Sequence, residues 1–274
     1  MPYFKNKIGI VTGGGSGIGR ALCEQLAQAG ATVIVADIDE RSGQETVTQM
    51  GRGRATRLDV SDADAVQRLV DETVLEFGRL DLMFNNAGIT VLGEVRDQTL
   101  EHWRRVIDVN LMGVIYGTDA AYKQMVKQGS GHIVNIASLA GLVPQPTSVP
   151  YTASKHAVVG LSTALRAEGV DLGVRVSVAC PAFIQANMIH ENSIVGVRLS
   201  DVTARRNLRL MPTAEHAARA ILRGVALNRE IIVYPFYAWL VWLLNRVIPG
   251  TPLSMRRKIV RDFRKLREVR VRKA

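Results

Sequence analysis

The chain has 274 residues, 47% of them hydrophobic, which suits one large α/β domain and excludes a small disulfide-stapled scaffold. Two cysteines, Cys23 and Cys180, and five scattered histidines give neither a disulfide framework nor metal-ligand spacing, so buried free thiols and a metal-free site are expected. Formal net charge is +10, but residues 255–274 carry ten Lys/Arg against two Asp/Glu and so hold +8 of it; the body is nearly neutral.

Met1 leads almost directly into the apolar run Ile8-Gly9-Ile10-Val11, with no charged-then-apolar leader. A reducing, cytoplasmic setting is therefore expected. Residues 8–11 suit a buried parallel strand, and they feed Thr12-Gly13-Gly14-Gly15-Ser16-Gly17-Ile18-Gly19, followed by a helical pattern through Leu22, Leu26 and Ala29. Glycine permits a tight turn and close approach of backbone to phosphate, and the following helix N-terminus favours the anion. Residues 32–37 form a second strand ending in Asp37, twenty residues beyond Gly17, where a carboxylate can hydrogen-bond an adenosine ribose. The same carboxylate would repel a 2′-phosphate, so NAD is favoured over NADP, with Arg20 and Arg41 the nearest opposing charges.

Strands and helices keep alternating. Residues 54–58 read as a third strand leading to Asp59 and Val60, and residues 62–77 as an acid-started amphipathic helix. Residues 80–84 form a fourth strand entering Asn85-Asn86-Ala87-Gly88. Further strands are expected over residues 132–137, 174–179 and 230–234, with helices between them. This rhythm predicts a Rossmann-like, doubly wound parallel sheet of about seven strands, flanked by helices on both faces, with ligands at the carboxyl ends of the strands. We assign residues 1–235 to this domain and residues 236–274 to a C-terminal extension.

Tyr151 and Lys155, in Tyr151-Thr152-Ala153-Ser154-Lys155, lie one helical turn apart and share a face. An ammonium beside a phenol favours phenolate and lowers a pKa that starts near ~10. Ser138 precedes the pair by thirteen residues; taken alone it could simply cap a turn before Gly141, and Asn110 could be a helix-terminus residue.

Taken together and in order, Thr12-Gly13 through Gly17 and Gly19, Asp59, Asn85-Asn86-Ala87-Gly88, Asn110, Ser138, and Tyr151 with Lys155 resemble the short-chain dehydrogenase/reductase family, over roughly residues 5–235. The resemblance implies that Thr12, Gly13, Ser16, Gly17, Ile18 and Gly19 line the pyrophosphate turn and that Asp37 holds the ribose. Asp59 and Val60 would border the adenine, and Asn86, Ala87 and Gly88 would pass under the cofactor. Tyr151 would be the general acid/base, with Lys155 lowering its pKa and bonding the nicotinamide ribose. Ser138 would bond the substrate oxygen, and Asn110 would support a water leading from Lys155. The family's Pro-Gly and later threonine are replaced by Pro181-Ala182 and Ala186, leaving the backbone of Ile184 to hold the carboxamide, with Gln185 or Asn187 in place of the missing hydroxyl. A homodimer or homotetramer is also implied.

Residues 185–210 are polar and weakly periodic, with Arg198, Arg205, Arg206 and Arg209, where the family places a substrate cover. Beyond Pro235, residues 231–245 include no charge, yet fall short of the ~20 apolar residues that a membrane span needs. Met255, Ile259, Phe263, Leu266 and Val269 then make an apolar stripe on a basic helix. Such a pair of segments suits an anionic membrane surface; packing on the body or on another subunit is the alternative, and no nucleic-acid-reading module is present. The expected activity is NAD-dependent interconversion of an alcohol and its ketone or aldehyde, with an apolar, lipid-, steroid- or retinoid-like substrate. A polar polyol or hydroxy acid, or a non-catalytic NAD-binding membrane-associated protein, are the alternatives.

Overall fold

The computed structural model describes residues 1–185, 193–203, 211–248 and 253–272. Seven strands, β1 (Ile8–Thr12), β2 (Thr32–Asp37), β3 (Arg54–Arg57), β4 (Leu82–Asn85), β5 (Gly131–Ile136), β6 (Val174–Pro181) and β7 (Ile231–Tyr234), form one sheet in the order β3-β2-β1-β4-β5-β6-β7. Every neighbouring pair is parallel. All seven expected strands are present, with ends shifted by a residue or two. The start of β4 and the end of β6 each move by two residues; ahead of β4, the buried Asp81 carboxylate accepts the Ile8 amide at 2.8 Å.

The helices are α1 (Gly17–Gln28), α2 (Glu40–Met50), α3 (Ala63–Phe77), α4 (Leu100–Ile107), α5 (Gly113–Gln128), α6 (Val149–Gly169), α7 (Leu199–Thr203), α8 (Ala214–Ala226), α9 (Phe236–Val247) and α10 (Leu253–Arg272). Their starts follow local chemistry. Asp39 caps α2 through the Arg41 and Ser42 amides, Asp62 caps α3 through Ala65, and Thr99 caps α4 through His102. The α3 helix stops at Gly78, whose φ of 75° a side chain would resist.

Successive strand residues enter opposite layers, as the pleat requires. Val33, Val35, Leu82, Phe84 and Val134 pack with Leu22 and Leu26 of α1 and Ile221, Leu222 and Val225 of α8. Ile10, Ile34, Ala36, Met83 and Ile133 pack on the other face with Val66, Leu69 and Val70 of α3 and Ala120, Ala121 and Met125 of α5. Each large side chain so buried contributes about 1.5–3 kcal/mol relative to exposure. The chain winds outward from β1 to β3 and then crosses back to β4 on the other side of β1. Their carboxyl ends diverge there, which opens the crevice in which ligands of such sheets bind.

Candidate active site

The first wall of the crevice is the turn between β1 and α1. Gly13 and Gly17 have φ of 63° and 51°, in the left-handed region that glycine adopts freely. A side chain at Gly13 would lie 2.9 Å from the Ala87 Cα, and one at Gly19 would run into the Gly13 carbonyl. Ser16 occupies the N-cap of α1 in extended conformation without a side-chain cap, Gly17 begins the helix, and Ile18 leans into the core. The result is a bare backbone cradle at a helix N-terminus, which fits a pyrophosphate.

Asp37 stands at the end of β2 beside this cradle, accepting the Gly15 amide at 2.8 Å and the Asp39 amide at 3.0 Å. Of the two nearby cations, Arg20 is engaged and Arg41 is largely exposed. Arg20 donates to the Gly15 carbonyl at 3.0 and 2.6 Å and lies 3.4 Å from Glu45, while Arg41 lies 3.8 Å from Glu45. Beyond β3, Asp59 is exposed and its carboxyl is held below the usual range by the Ser61 hydroxyl and amide; Val60 is buried against Gly113. These residues fit the adenosine end of a dinucleotide.

The second wall begins at β4. Thr12 Oγ1 accepts the Asn86 and Ala87 amides at 2.9 and 3.0 Å, and the Asn86 side chain donates back to the Thr12 carbonyl at 2.9 Å. Gly88 follows, where an added side chain would meet Asn110 Oδ1 at 3.4 Å and Lys155 Nζ at 3.5 Å. Asn110 sits in a π-helical turn, Asp108–Met112, between α4 and α5. Such turns recur at functional positions because they turn side chains out of the helical register. Its Oδ1 accepts the Ile89 amide at 2.8 Å, and its Nδ2 donates to the Ile89 carbonyl at 2.8 Å and to Ser154 Oγ at 3.3 Å.

Tyr151 and Lys155 project from the first turns of α6 and are both buried. The ammonium lies 5.6 Å from the phenol ring centre and donates to the Ile136 carbonyl at 2.7 Å. Ser138, after β5, caps the short turn Leu139–Gly141 through the Ala140 amide at 3.1 Å and donates to the Pro181 carbonyl at 3.4 Å, and its hydroxyl lies close enough to Tyr151 to favour the phenolate. Val91, Val106 and Ala140 are buried around Tyr151, with Ile89 and Val195 packed against them.

The electrostatics differ from the expectation of a phenol lowered by its lysine. Burial raises the Tyr151 pKa, and the group that pulls it down is Ser138. Burial lowers Lys155 from 10.5 to about 8, with Cys180 opposing, and raises Cys180 itself to about 12. The physical reason is depth: the i, i+4 spacing does put both groups on one face, but that face is turned inward, and desolvation outweighs their mutual field.

At the end of β6, Ala182 N donates to the Tyr234 carbonyl at 2.8 Å, and Ile184 packs on the core. Gln185 differs from its expected role, since its Nε2 donates to the Met211 carbonyl at 2.7 Å; Ala186, Asn187, Arg205, Arg206 and Arg209 lie outside the described residues. His132 is structural, buried between Tyr3 and Ser177 at 2.9 Å from each, and burial lowers its pKa to about 3; His190 lies outside the described residues. No cluster of metal-ligating side chains occurs among the described residues. The pairing of Leu92 with residues 193–195, which walls the Tyr151 side of the crevice, was not foreseen, because neither segment holds a motif.

Residues 7–194 match the short chain dehydrogenase family. The chain is 39% identical over 195 residues to a cyclohexanol dehydrogenase of Acinetobacter sp. strain SE19, covering 69% of this chain and 77% of that one. It is 35% identical over 187 residues to a meso-2,3-butanediol dehydrogenase of Serratia marcescens, covering 68% and 74%. A solved short chain dehydrogenase/reductase from Burkholderia phymatum, in complex with NAD, superposes with a TM-score of 0.80 at 32% identity, covering 90% of this chain and 95% of that one. The protein therefore belongs to the short-chain dehydrogenase/reductase family and is an oxidoreductase acting on CH–OH groups.

The depressed Lys155 pKa has a thermodynamic signature. Between about 8 and 10.5 the unfolded chain binds a proton that the folded chain has released, so this site makes stability rise with pH across that window. In urea titrations at pH 7 and pH 9.5, wild type should gain stability relative to Lys155→Met on moving to the higher pH. A constant difference would mean that the amine titrates normally.

Proposed function

We propose that the protein oxidises an apolar secondary alcohol to its ketone, or runs the reverse, with NAD as cofactor and Tyr151 as the proton-transfer residue. The observation that carries this reading is the convergence of Ser138, Tyr151 and Lys155 at the carboxyl ends of the strands, beside a glycine cradle shaped for pyrophosphate. When bound, NAD supplies the hydride acceptor, or in its reduced form the donor. In the oxidative direction the Tyr151 phenolate accepts the hydroxyl proton, while the Ser138 hydroxyl hydrogen-bonds the substrate oxygen and holds it against the phenol. Lys155 and Asn110, both adjacent to Gly88, flank the inner side of the site, where a proton can pass on from Tyr151.

Asp37 supports NAD over NADP, because its carboxylate stands beside the cradle and Arg20, the nearer cation, is taken up by the Gly15 carbonyl. The apolar wall beside Tyr151, where half-buried Ile89 and Val195 overlie buried Val91, Val106 and Ala140, supports an apolar substrate, and the similarity to a cyclohexanol dehydrogenase points the same way.

The C-terminal extension adds a surface. Phe236, Leu244 and Val247 of α9 are 73%, 59% and 68% exposed, and exposed basic side chains of α10 follow, including Arg257, Lys258 and Arg261. No helix among the described residues is long and apolar enough to cross a membrane. An exposed apolar helix beside a basic one matches peripheral association with an anionic lipid surface, from which an apolar alcohol could enter.

Three outcomes test this reading. Tyr151→Phe should lower kcat by about 10²–10⁴-fold with NAD affinity retained, read as NADH formation from a panel of apolar and polar alcohols; near-wild-type turnover refutes the assignment. Asp37→Ser should move the NADP/NAD preference by at least about tenfold toward NADP, and an unmoved ratio would remove Asp37 from cofactor choice. Pelleting with phosphatidylserine vesicles should be lost in Trp239→Glu/Leu244→Glu. Undiminished pelleting, or no pelleting of the wild type beside a stable oligomer, assigns α9 to another contact.

A further inference from the structure

Six residues after Asn86, at Leu92, the chain becomes a support for the substrate side of the crevice. Leu92 pairs with Ile194: the Leu92 amide donates to the Ser193 carbonyl at 2.8 Å, and the Val195 amide donates to the Leu92 carbonyl at 2.7 Å. The next amide, Gly93, donates to the Thr147 carbonyl at 2.8 Å, in the loop that leads into α6 and Tyr151. A side chain at Gly93 would lie 3.0 Å from the Val195 Cβ, so the contact is close. Leu92 and Gly93 thus hold both Val195, which packs against the Tyr151 cluster, and the loop that delivers Tyr151.

Immediately after Gly93 comes an acidic turn, residues 94–97, and it is gripped by the C-terminal helix. Arg264 donates to Glu94 Oε1 through Nε at 2.9 Å and Nη2 at 2.7 Å, and Arg267 donates to Asp97 Oδ2 at 2.6 Å. Arg96 adds a bond to Glu94 at 2.7 Å, and Gln98 Nε2 closes the turn on the Gly93 carbonyl at 2.8 Å. Glu94 and Asp97 are only 10% and 16% exposed as side chains. The arginines cover both carboxylates, and Arg264 is the chief reason that Glu94 is held below the usual carboxylate range. Asp97 also borders Gly196, whose added side chain would lie 3.4 Å from its Oδ2, so the turn touches the 193–197 segment from a second side.

We propose that Arg264 and Arg267 are positioning residues for the alcohol site: through Glu94 and Asp97 they fix the turn that sets Val195 against Tyr151. The inference rests on the alcohol binding at Tyr151, as argued above. It gives α10 a role inside the enzyme, independent of any lipid surface. The two arginines do not touch the reacting atoms; they act on where the apolar wall stands, and so on substrate affinity.

The test compares three double variants of the full chain. Arg264→Glu/Arg267→Glu should raise the alcohol KM by about tenfold or more, equivalent to about 1.4 kcal/mol, with kcat within about twofold and NAD Kd unchanged. Arg264→Lys/Arg267→Lys, which keeps the charges, should stay near wild type. Arg257→Glu/Arg261→Glu, with the same charge change on an exposed part of α10, should leave KM unchanged for a dissolved alcohol in lipid-free buffer. Hydrogen exchange supplies a readout free of turnover: the Leu92, Gly93 and Val195 amides should exchange faster in the first variant alone. Unchanged exchange overturns the proposal, whether or not any alcohol turns over. An unchanged KM, or an equal rise in the Arg257/Arg261 variant, overturns it as well. A Tyr151→Phe enzyme that kept its turnover would instead sink the reading of the site, a result that these exchange rates do not imitate.

Discussion

The crevice depends on one small hydrogen-bonded joint, in which Thr12 at the end of β1 accepts the Asn86 and Ala87 amides and the Asn86 side chain returns a bond to the Thr12 carbonyl. β1 and β4 are where the winding of the sheet reverses, so their loops diverge and no helix crosses between them. Without a fixed tie, two diverging loops would move independently, and the separation of the phosphate cradle from the catalytic wall would vary. The joint holds Gly13 within van der Waals reach of Ala87, which is why glycine is needed there, and it carries Gly88 on to Asn110 and Lys155. Both halves of the site are referenced to the same four residues.

Burial is the second governing constraint. Tyr151, Lys155, Asn110 and Cys180 lie beneath the surface, so each ionisable group resists its charged form. A phenol that starts near 10 is raised by burial while an amine that starts at 10.5 is lowered to about 8, so desolvation drives their proton affinities apart and favours the neutral form of each. Ser138 opposes this at Tyr151 by favouring the phenolate. One hydroxyl therefore supplies the counterweight that the lysine charge was expected to supply.

The sheet was legible because period-two and apolar-run patterns survive in a sheet buried on both faces, where β1, β2 and β4 read as near-continuous Val, Ile, Leu and Phe. Most of the site was legible because glycine turns, the Asn86 tie and the Tyr151 to Lys155 spacing are local, each within one turn or strand end. What the sequence did not disclose is tertiary. Whether the Tyr151 face turns inward depends on the packing of α6, and that decides the sign of the pKa shift. The 92–93 to 193–195 pairing joins segments about a hundred residues apart with no motif in either. Gln185, read as a candidate carboxamide partner, is drawn to the Met211 carbonyl by the bridge that pairs it with Thr213.

The C-terminal extension shows how composition underdetermines location. A +8 segment with an apolar stripe fits an anionic surface, and the fold supplies such a surface from its own chain, in Glu94 and Asp97. Exposed salt bridges contribute little, but here two arginines cover the carboxylates through charge-assisted hydrogen bonds that an outside partner would have to replace. That asymmetry makes α10 selective in how it can bind elsewhere. Arg264 and Arg267 are held by the body, whereas Arg257, Lys258 and Arg261 remain exposed for an outside partner. On the reading proposed above, one helix braces the site through Arg264 and Arg267 and leaves its other basic side chains free of that task.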